Sequence, residues 1–300
     1  MNEPSYIKLY ETGELRIRVE QALSILENCS LCPRRCGVNR LAGEKGFCGT
    51  GKFAIISSCG PHFGEESPLV GTNGSGTIFI SGCNLKCVFC QNFEISHMVA
   101  GEEVSAEVFA KMMLGLQEMG CHNINIVTPT HIVPQILQSL VIAIEKGLNL
   151  PLVYNTGGYD EVKVLKLLDG VFDIYMPDFK FYSPEVAEQF TDAKDYPEVV
   201  INSISEMHRQ VGDLIIENGL AKRGLIVRHL VLPDGLAGTK EVIKFLANLS
   251  KSIYLNLMAQ YRPCRYANKF GMLNRGITNL EFQEAISIAK EEGLYRLDND

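Results

Sequence analysis

The residues in this chain best suited to chemistry are three cysteines that lie within eight positions. Cys83, Cys87 and Cys90 form a C-x3-C-x2-C run directly after an apolar segment. Cysteine thiolate is the usual ligand of iron–sulfur clusters, so three thiolates at this spacing can hold three corners of a [4Fe-4S] cube. The fourth iron then has no local protein ligand and stays open to a substrate or cofactor, whereas a fully ligated cluster can only pass electrons.

Two other kinds of site use cysteines in this way. One is a structural zinc knuckle, and the other is an electron-transfer cluster whose fourth ligand lies elsewhere in the chain. Zinc sites favour two C-x2-C pairs set well apart, whereas this run contains a single such pair. The Gly82-Cys83-Asn84 context, the preceding strand and the aromatic Phe89 resemble the signature of the radical S-adenosylmethionine (radical SAM) superfamily.

That resemblance implies a cofactor and a reaction. In the superfamily, the open iron chelates the amino and carboxylate groups of S-adenosylmethionine. One electron from the cluster then cleaves the sulfonium and releases a 5′-deoxyadenosyl radical. The resemblance therefore implies that Cys83, Cys87 and Cys90 bind a [4Fe-4S] cluster and S-adenosylmethionine.

A second cysteine group lies nearer the N-terminus. Cys29, Cys32, Cys36 and Cys48 have the spacing C-x2-C-x3-C-x11-C. Four thiolates satisfy either tetrahedral Zn²⁺ or a second iron–sulfur cluster, and the spacing leaves both open. The segment around them resembles the N-terminus of pyruvate formate-lyase activating enzyme-like proteins of the PflX-type group.

Composition excludes several classes of protein. The 300 residues contain 28 Lys and Arg against 35 Asp and Glu, and the net charge of −7 with no basic block argues against nucleic-acid binding. Residues 1–8 lack a signal-peptide core, and the apolar stretch 132–144 is too short to span a bilayer, so we expect a cytoplasmic protein without membrane contact. Seven of the ten cysteines fall in the two groups, which points to metal rather than to disulfides.

From residue 77 onward, strand and helix patterns alternate. Predicted strands cover residues 77–81, 123–127, 152–155, 171–176, 225–232 and 252–258, and predicted helices cover 105–119, 133–146, 161–168, part of 195–218, 239–249 and 280–291. The strand runs are apolar on both faces, as in a parallel sheet covered by helices. Six units predict an α/β fold with a partial (β/α)6 barrel, the radical SAM core fold.

The barrel and the N-terminal segment are expected to form separate units. We predict a helix at 16–27 and a cysteine-rich metal-binding appendage within residues 1–76, followed by a core domain at 77–300. The stretch that contains His62, Glu65 and Glu66 lies close in sequence to the cysteine loop and could contact the active site, but the default expectation is a solvated loop. Active sites of parallel α/β folds lie at the carboxyl ends of the strands, where the cysteine loop also lies.

The second strand of the core ends in Thr128-Pro129-Thr130. At this point, activating members of the superfamily carry a Gly-Gly-Glu motif that holds the methionyl amino group. The hydroxyls of Thr128 and Thr130 can accept a hydrogen bond from an ammonium, but the carboxylate of the motif is missing. His131 suits the first turn of the helix that follows.

The resemblance assigns further cofactor contacts to the third and fourth strand ends. Thr156, Met176, Asp178 and Lys180 align with residues that surround a monovalent cation beside the S-adenosylmethionine carboxylate, and Asn155 replaces an acid. An Asn carbonyl oxygen is a weaker ligand for a hard cation. The alternative is that Asp178 is a helix N-cap and Lys180 a surface charge.

The remaining candidates lie in the cysteine loop and on the last two strands. Asn92, Arg228 and Gln260 are expected to contact the cofactor. Arg228 and His229 point to opposite faces of a strand, so only one of them faces the barrel interior. No catalytic residue can be assigned from the sequence.

Function follows from the resemblance, with rivals. It implies a flavodoxin or ferredoxin as one-electron donor, and a glycine of a glycyl-radical enzyme as the protein substrate. A radical reaction on a small molecule, peptide or nucleotide is the first alternative. A non-enzymatic iron–sulfur electron carrier would bind no S-adenosylmethionine, and a zinc-binding interaction module would hold zinc at Cys83–Cys90.

Overall fold

The computed structural model describes residues 3–298, and its centre is a single mixed sheet. The strands in this part of the chain are β1 Ala54–His62, β2 Ser75–Ile80, β3 Glu102–Val104, β4 Ile124–Val127, β5 Leu152–Thr156, β6 Ile174–Pro177, β7 Ile215–Glu217, β8 Leu220–Leu230 and β9 Tyr254–Met258. The α-helices are α1 Ser5–Glu11, α2 Glu14–Ser24, α3 Ser67–Val70, α4 Phe93–Ser96, α5 Ala106–Glu118, α6 Val133–Glu145, α7 Val162–Leu167, α8 Pro184–Thr191, α9 Tyr196–Val211, α10 Thr239–Leu249 and α11 Asn279–Glu291.

Six parallel strands form the barrel arc in the order β2-β4-β5-β6-β8-β9. Their sequence order matches the six predicted strands, so the predicted α/β fold is confirmed. Every residue of β5 and β6 is buried, because helices cover the outer face and side chains fill the interior. The carboxyl ends of the six strands therefore meet at one rim.

The helices between the strands follow their sequence signals closely. Ser105 caps α5 by accepting a hydrogen bond from the Val108 amide at 3.4 Å. Helix α6 buries nine side chains, including Ile136 and Leu140, and packs beside α2 and α5. Helix α10 spans the predicted residues 239–249. The amphipathic pattern therefore placed these helices correctly, with a side-chain cap on α5.

Strand β1 is the largest departure from the sequence expectations. It pairs antiparallel with β2, and β3 pairs antiparallel with its other edge. A register shift between Ile56 and Ser58, followed by Gly60 and Pro61, breaks the alternation that would have revealed a strand. Part of the N-terminal stretch thus belongs to the same sheet as the barrel, and a division at residue 76 stays a prediction.

Helix α9 confirms the long helix predicted within residues 195–218, and the chain after it forms a hairpin that the sequence analysis did not predict. Helix α9 ends at Val211 because Gly212 takes the left-handed value φ 72°. Strands β7 and β8 then form a hairpin around Asn218 and Gly219, both with positive φ. An Asn-Gly pair is the usual two-residue hairpin turn, and it is the sequence signal for this hairpin.

No helix within residues 3–298 is long and apolar enough to cross a membrane.

Candidate functional site

The three-cysteine loop follows β2 at the carboxyl rim of the barrel. Cys83, Cys87 and Cys90 line one cavity of about 160 Å³. Cys87 is buried, while Cys83 and Cys90 are partly exposed. The Leu85 amide donates to Cys83 Sγ at 3.4 Å, and the Ser96 hydroxyl donates to Cys90 Sγ at 3.2 Å. The loop therefore presents its sulfurs to a single space.

The electrostatics of the loop depend on its burial and on one lysine. Burial raises the pKa of the Cys87 thiol to about 12, and the nearby Lys180 ammonium opposes this rise. Metal ligation requires the thiolate. Among residues 3–298, no group of three or more His, Cys, Asp or Glu side chains already stands in the arrangement of a metal site. The fit of an iron–sulfur cluster rests on the all-sulfur donor set and the shared cavity.

A charged cluster forms the opposite wall of this cavity. Arg228 Nε donates to Asp178 Oδ1 at 2.7 Å, and Lys180 Nζ donates to Asp178 Oδ2 at 2.5 Å. Arg228 Nη2 also donates to Asn155 Oδ1 at 2.7 Å. Burial alone raises the pKa of Asp178, but the charges of Arg228 and Lys180 outweigh it and hold the pKa below its usual value. Asp178 is therefore a carboxylate held between two cations.

The cavity gathers most of the cofactor contacts predicted from the sequence. Those that line it with the cysteines are Asn92, Thr128, Asn155, Thr156, Asp178, Lys180 and Arg228. Three others lie outside the lining. The Thr130 hydroxyl donates to Asp160, and Met176 is fully buried in the barrel interior. Gln260 is exposed, and its backbone carbonyl accepts from the Gln91 side-chain amide at 3.3 Å.

Asp160 is a buried residue that the sequence analysis missed. Its side chain accepts hydrogen bonds from the hydroxyls of Thr130 (2.7 Å), Thr156 (2.7 Å) and Tyr154 (2.9 Å). Burial raises the pKa of Asp160, and these three donors oppose the rise. The network fixes the two threonines at neighbouring strand ends. Its signal in the sequence was an acidic residue two positions after the Gly157-Gly158 pair.

The expected solvated loop after β1 is wrong for Glu66, because only 4% of this residue is exposed. Glu66 Oε1 accepts from Asn256 Nδ2 at 3.0 Å and lies 3.8 Å from Arg228 Nε. Burial raises the pKa of Glu66, and Arg228 opposes this. Neighbouring Glu65 faces Asn155 at 3.5 Å. The segment before β2 thus delivers carboxylates to the barrel interior.

Two buried polar groups in the barrel have no hydrogen-bond partner among residues 3–298. They are Glu66 Oε2 and both amide atoms of Asn125, which is fully buried. Buried polar groups without a partner are costly, so such atoms commonly face an ordered water or a ligand. The interior below the cavity is therefore polar in places where packing alone would favour apolar side chains.

Two histidines near the rim have structural contacts. The His131 ring donates from Nε2 to the Ser81 carbonyl at 2.9 Å. His229 points away from the cavity and bonds to the Phe179 carbonyl at 2.6 Å and to Thr239 Oγ1 at 3.0 Å. Burial lowers the pKa of each to about 4, so both rings are neutral. Of the Arg228–His229 pair, Arg228 faces the barrel.

The four N-terminal cysteines also lie together. Cys29, Cys32, Cys36 and Cys48 line a cavity of about 10 Å³, which is barely the space of one water molecule. Burial, with smaller contributions from the three other thiols, raises the pKa of Cys32 to about 12, and a hydrogen bond from the Arg34 backbone opposes the rise. A Cβ atom on Gly46 would lie 2.8 Å from Cys36 Sγ, so a larger residue there would displace the thiol.

The two cysteine groups share a boundary. A Cβ atom on Gly82 would lie 2.5 Å from the Cys48 carbonyl oxygen, so the segment that contains Cys48 meets the three-cysteine loop directly beside Cys83. Arg34 Nε donates to the Asn84 carbonyl at 2.9 Å, and Arg34 Nη2 donates to the Thr191 carbonyl at 2.6 Å. Its guanidinium lies 4.0 Å from the centre of the Phe47 ring. Arg34 therefore links the N-terminal group to the three-cysteine loop.

Comparison with known proteins agrees with this geometry. Residues 77–217 match the model of the radical SAM superfamily, from within β2 through the cysteine loop to β7. An uncharacterized protein of Methanocaldococcus jannaschii is 33% identical over 303 aligned residues, which cover 98% of this chain and 82% of that protein. The similarity to that protein therefore extends over both cysteine groups.

Proposed function

The chain belongs to the radical SAM superfamily, and from that premise we propose that it is an enzyme with its reactive centre at Cys83, Cys87 and Cys90. The observation that carries the proposal is the single cavity shared by these thiols and the polar strand ends. When bound, a [4Fe-4S] cluster and S-adenosylmethionine supply an electron and a radical that removes hydrogen from a substrate. The protein positions these groups and excludes water.

The charged wall is suited to the methionyl end of the cofactor. Asp178 carries one negative charge against the positive charges of Arg228 and Lys180, so the trio has a surplus of one positive charge. Glu66 Oε1 lies 3.8 Å from Arg228 Nε, but burial raises the pKa of Glu66 and so favours its neutral form. The surplus then favours a carboxylate in a water-poor cavity. Thr128 lines the same cavity and can accept from the ammonium. The predicted monovalent cation would have to share Asp178 with the two side chains that already bond to both of its oxygens.

For the substrate, we carry forward the glycine of a glycyl-radical enzyme that the resemblance to activating enzymes implies. The buried, unpartnered atoms of Glu66 and Asn125 favour a second candidate, a small polar substrate whose donor groups enter the barrel. The two candidates differ in size, and hydrogen–deuterium transfer from a labelled substrate into 5′-deoxyadenosine distinguishes them.

The N-terminal cysteines form a second proposed metal site. Four thiols around a cavity of only about 10 Å³ suit a metal whose ligands all come from the protein, which is the pattern of structural zinc. An auxiliary iron–sulfur cluster uses the same four ligands. We also propose that a flavodoxin or ferredoxin donates the electron. We propose the cytoplasm as the location of the enzyme.

The test of the proposed function combines metal analysis with product detection. After anaerobic reconstitution, the wild-type protein should contain iron and sulfide and should form 5′-deoxyadenosine from S-adenosylmethionine under dithionite. Replacement of Cys87 by Ala should lower this rate by more than the roughly 100-fold that loss of an outer-shell partner costs. Cys59→Ala, which removes an exposed thiol outside both groups, is the matched control. Unchanged product formation in Cys87→Ala would refute the assignment.

A further inference from the structure

One segment of this acidic chain has the opposite charge. Residues 242–280 contain six Lys or Arg and no Asp or Glu, although the whole chain has a net charge of −7. Four of the six lie within residues 261–275, namely Arg262, Arg265, Lys269 and Arg275. We refer to residues 261–275 as the basic arc.

The basic arc packs directly against the three-cysteine loop. The Tyr266 amide donates to the Val88 carbonyl at 3.0 Å, one residue from Cys87. The Tyr266 ring contacts Phe93 edge-on, with 5.4 Å between ring centres. The arc is thus part of the protein surface next to the proposed cluster.

Two of the cations on the arc are free of acidic partners. Arg265 pairs with Glu94, and Arg275 pairs with Glu281 at 2.8 Å. Arg262 and Lys269 make no ion pair within residues 3–298, and both are exposed. These two side chains are therefore available to a partner.

Exposed apolar side chains accompany the charge. Tyr266 is 43% exposed and Met272 is 44% exposed. Aromatic residues, Met and Arg are enriched at protein interfaces, where charges at the rim steer association. Two free cations are few for binding along a phosphate backbone, since nucleic-acid affinity depends on many phosphate contacts.

We infer that the basic arc is the docking surface for an acidic one-electron carrier protein of the flavodoxin or ferredoxin kind. The inference rests on the proposed function, because the reaction needs an electron that this chain does not generate. The carrier loses one electron, and the cluster held by Cys83, Cys87 and Cys90 gains it. Attraction between the carrier's acidic surface and the arc raises the encounter rate on the side nearest the cluster.

The experiment measures cluster reduction rather than turnover. Reconstituted holoenzyme is mixed with either reduced acidic flavodoxin or dithionite, and the cluster absorbance is followed by stopped flow. In the double variant Arg262→Glu and Lys269→Glu, reduction by flavodoxin at low salt should slow by about 10-fold or more. The difference should shrink at high salt because screening weakens attraction between surface charges. Reduction by dithionite should keep its wild-type rate.

A matched control separates docking from net charge. Lys111→Glu and Lys163→Glu make the same charge change at exposed positions on α5 and α7, and should leave the flavodoxin rate unchanged. Equal flavodoxin rates in wild type and the arc variant would overturn the inference, as would salt-sensitive RNA binding by the arc without an effect on reduction. If dithionite also fails to reduce any cluster in wild type, the proposed function itself fails.

Discussion

The two cysteine groups use the same ligand atom in opposite surroundings. The sulfurs of Cys83, Cys87 and Cys90 share a cavity of about 160 Å³ with polar and charged strand ends. The four N-terminal cysteines surround about 10 Å³ and leave no room for a second molecule. Closed metal sites typically stabilise structure, whereas catalytic sites keep an open position.

The difference teaches that the number of ligands and the space beside them matter more than ligand identity. Three thiols beside free volume leave a coordination position for a cofactor. Four thiols in a closed loop satisfy the metal completely, and its binding energy then stabilises the fold. The two groups nonetheless meet at Gly82 and through Arg34, so a change in the closed site can reach the open one.

The largest expected effect comes from breaking the closed site. In Cys32→Ala, the N-terminal metal should be lost, and the melting temperature should fall by roughly 10 °C because several kcal/mol of metal-binding energy no longer stabilise the fold. Calorimetry and metal analysis measure the two effects. An unchanged melting temperature together with unchanged metal content would show that the four thiols do not hold a metal.

The complementary variant identifies that metal. With Cys83, Cys87 and Cys90 all replaced by Ala, the protein should retain metal at the N-terminal group. Zinc without sulfide would favour the structural site, and iron with sulfide would favour the auxiliary cluster. Absence of both metals from this variant would show that the N-terminal cysteine group is not a metal site.

An intermediate effect is expected at the charged wall of the open site. Asp178→Ala leaves the partly buried Arg228 and Lys180 without their carboxylate. Loss of one partner of a fully buried pair costs about 3–5 kcal/mol of stability, so we expect a smaller loss here because these side chains keep some contact with water. Without Asp178 to hold Arg228 and Lys180 in position, binding of S-adenosylmethionine should weaken in spite of the added positive charge, while iron content stays normal. Equilibrium dialysis and metal analysis measure the two quantities. Normal cofactor affinity in this variant would restrict Asp178 to a structural role.

The same variant carries a pH signature. Because the folded-state pKa of Asp178 is lowered, its contribution to stability is complete above its unfolded pKa and is lost as the pH falls through the folded value. Wild type should therefore lose more stability on acidification than Asp178→Ala does.

The same variant also tests for a bound cation. Potassium-dependent turnover in wild type that disappears in Asp178→Ala would support such a cation. A wild-type rate that does not depend on salt would mean that Arg228 and Lys180 neutralise the charge of Asp178.

The smallest effect tests the link between the groups. Arg34→Ala removes three hydrogen bonds, to the backbone carbonyls of Asn84, Thr191 and Asp192, without touching a cysteine, so both metals should still bind. We expect the cluster at the three-cysteine loop to be lost to a chelator about 10-fold faster, as for other outer-shell changes. Arg34→Lys retains the charge but not the planar fork, and should behave like the Ala variant. A wild-type loss rate would mean that the groups are independent.

Several features could be predicted from local sequence because they depend on neighbouring residues alone. The spacing of the cysteines identified both cysteine groups. Apolar runs located the six core strands, and amphipathic patterns with a cap such as Ser105 located most of the helices. Strand β1 escaped because its bulge, Gly60 and Pro61 break the local pattern, and its stability comes from pairing with β2 and β3.

The candidate site also has features that local sequence predicts and features that depend on distant contacts. The sequence by itself determined which residues stand at strand ends, because parallel strands bring their carboxyl ends to one rim. Only the tertiary structure decided that Thr130 turns to Asp160 and that Glu66 enters the barrel from a segment before the core. These contacts join residues about 30 and 190 positions apart, and the direction of each side chain is set by packing and charge that no local pattern contains.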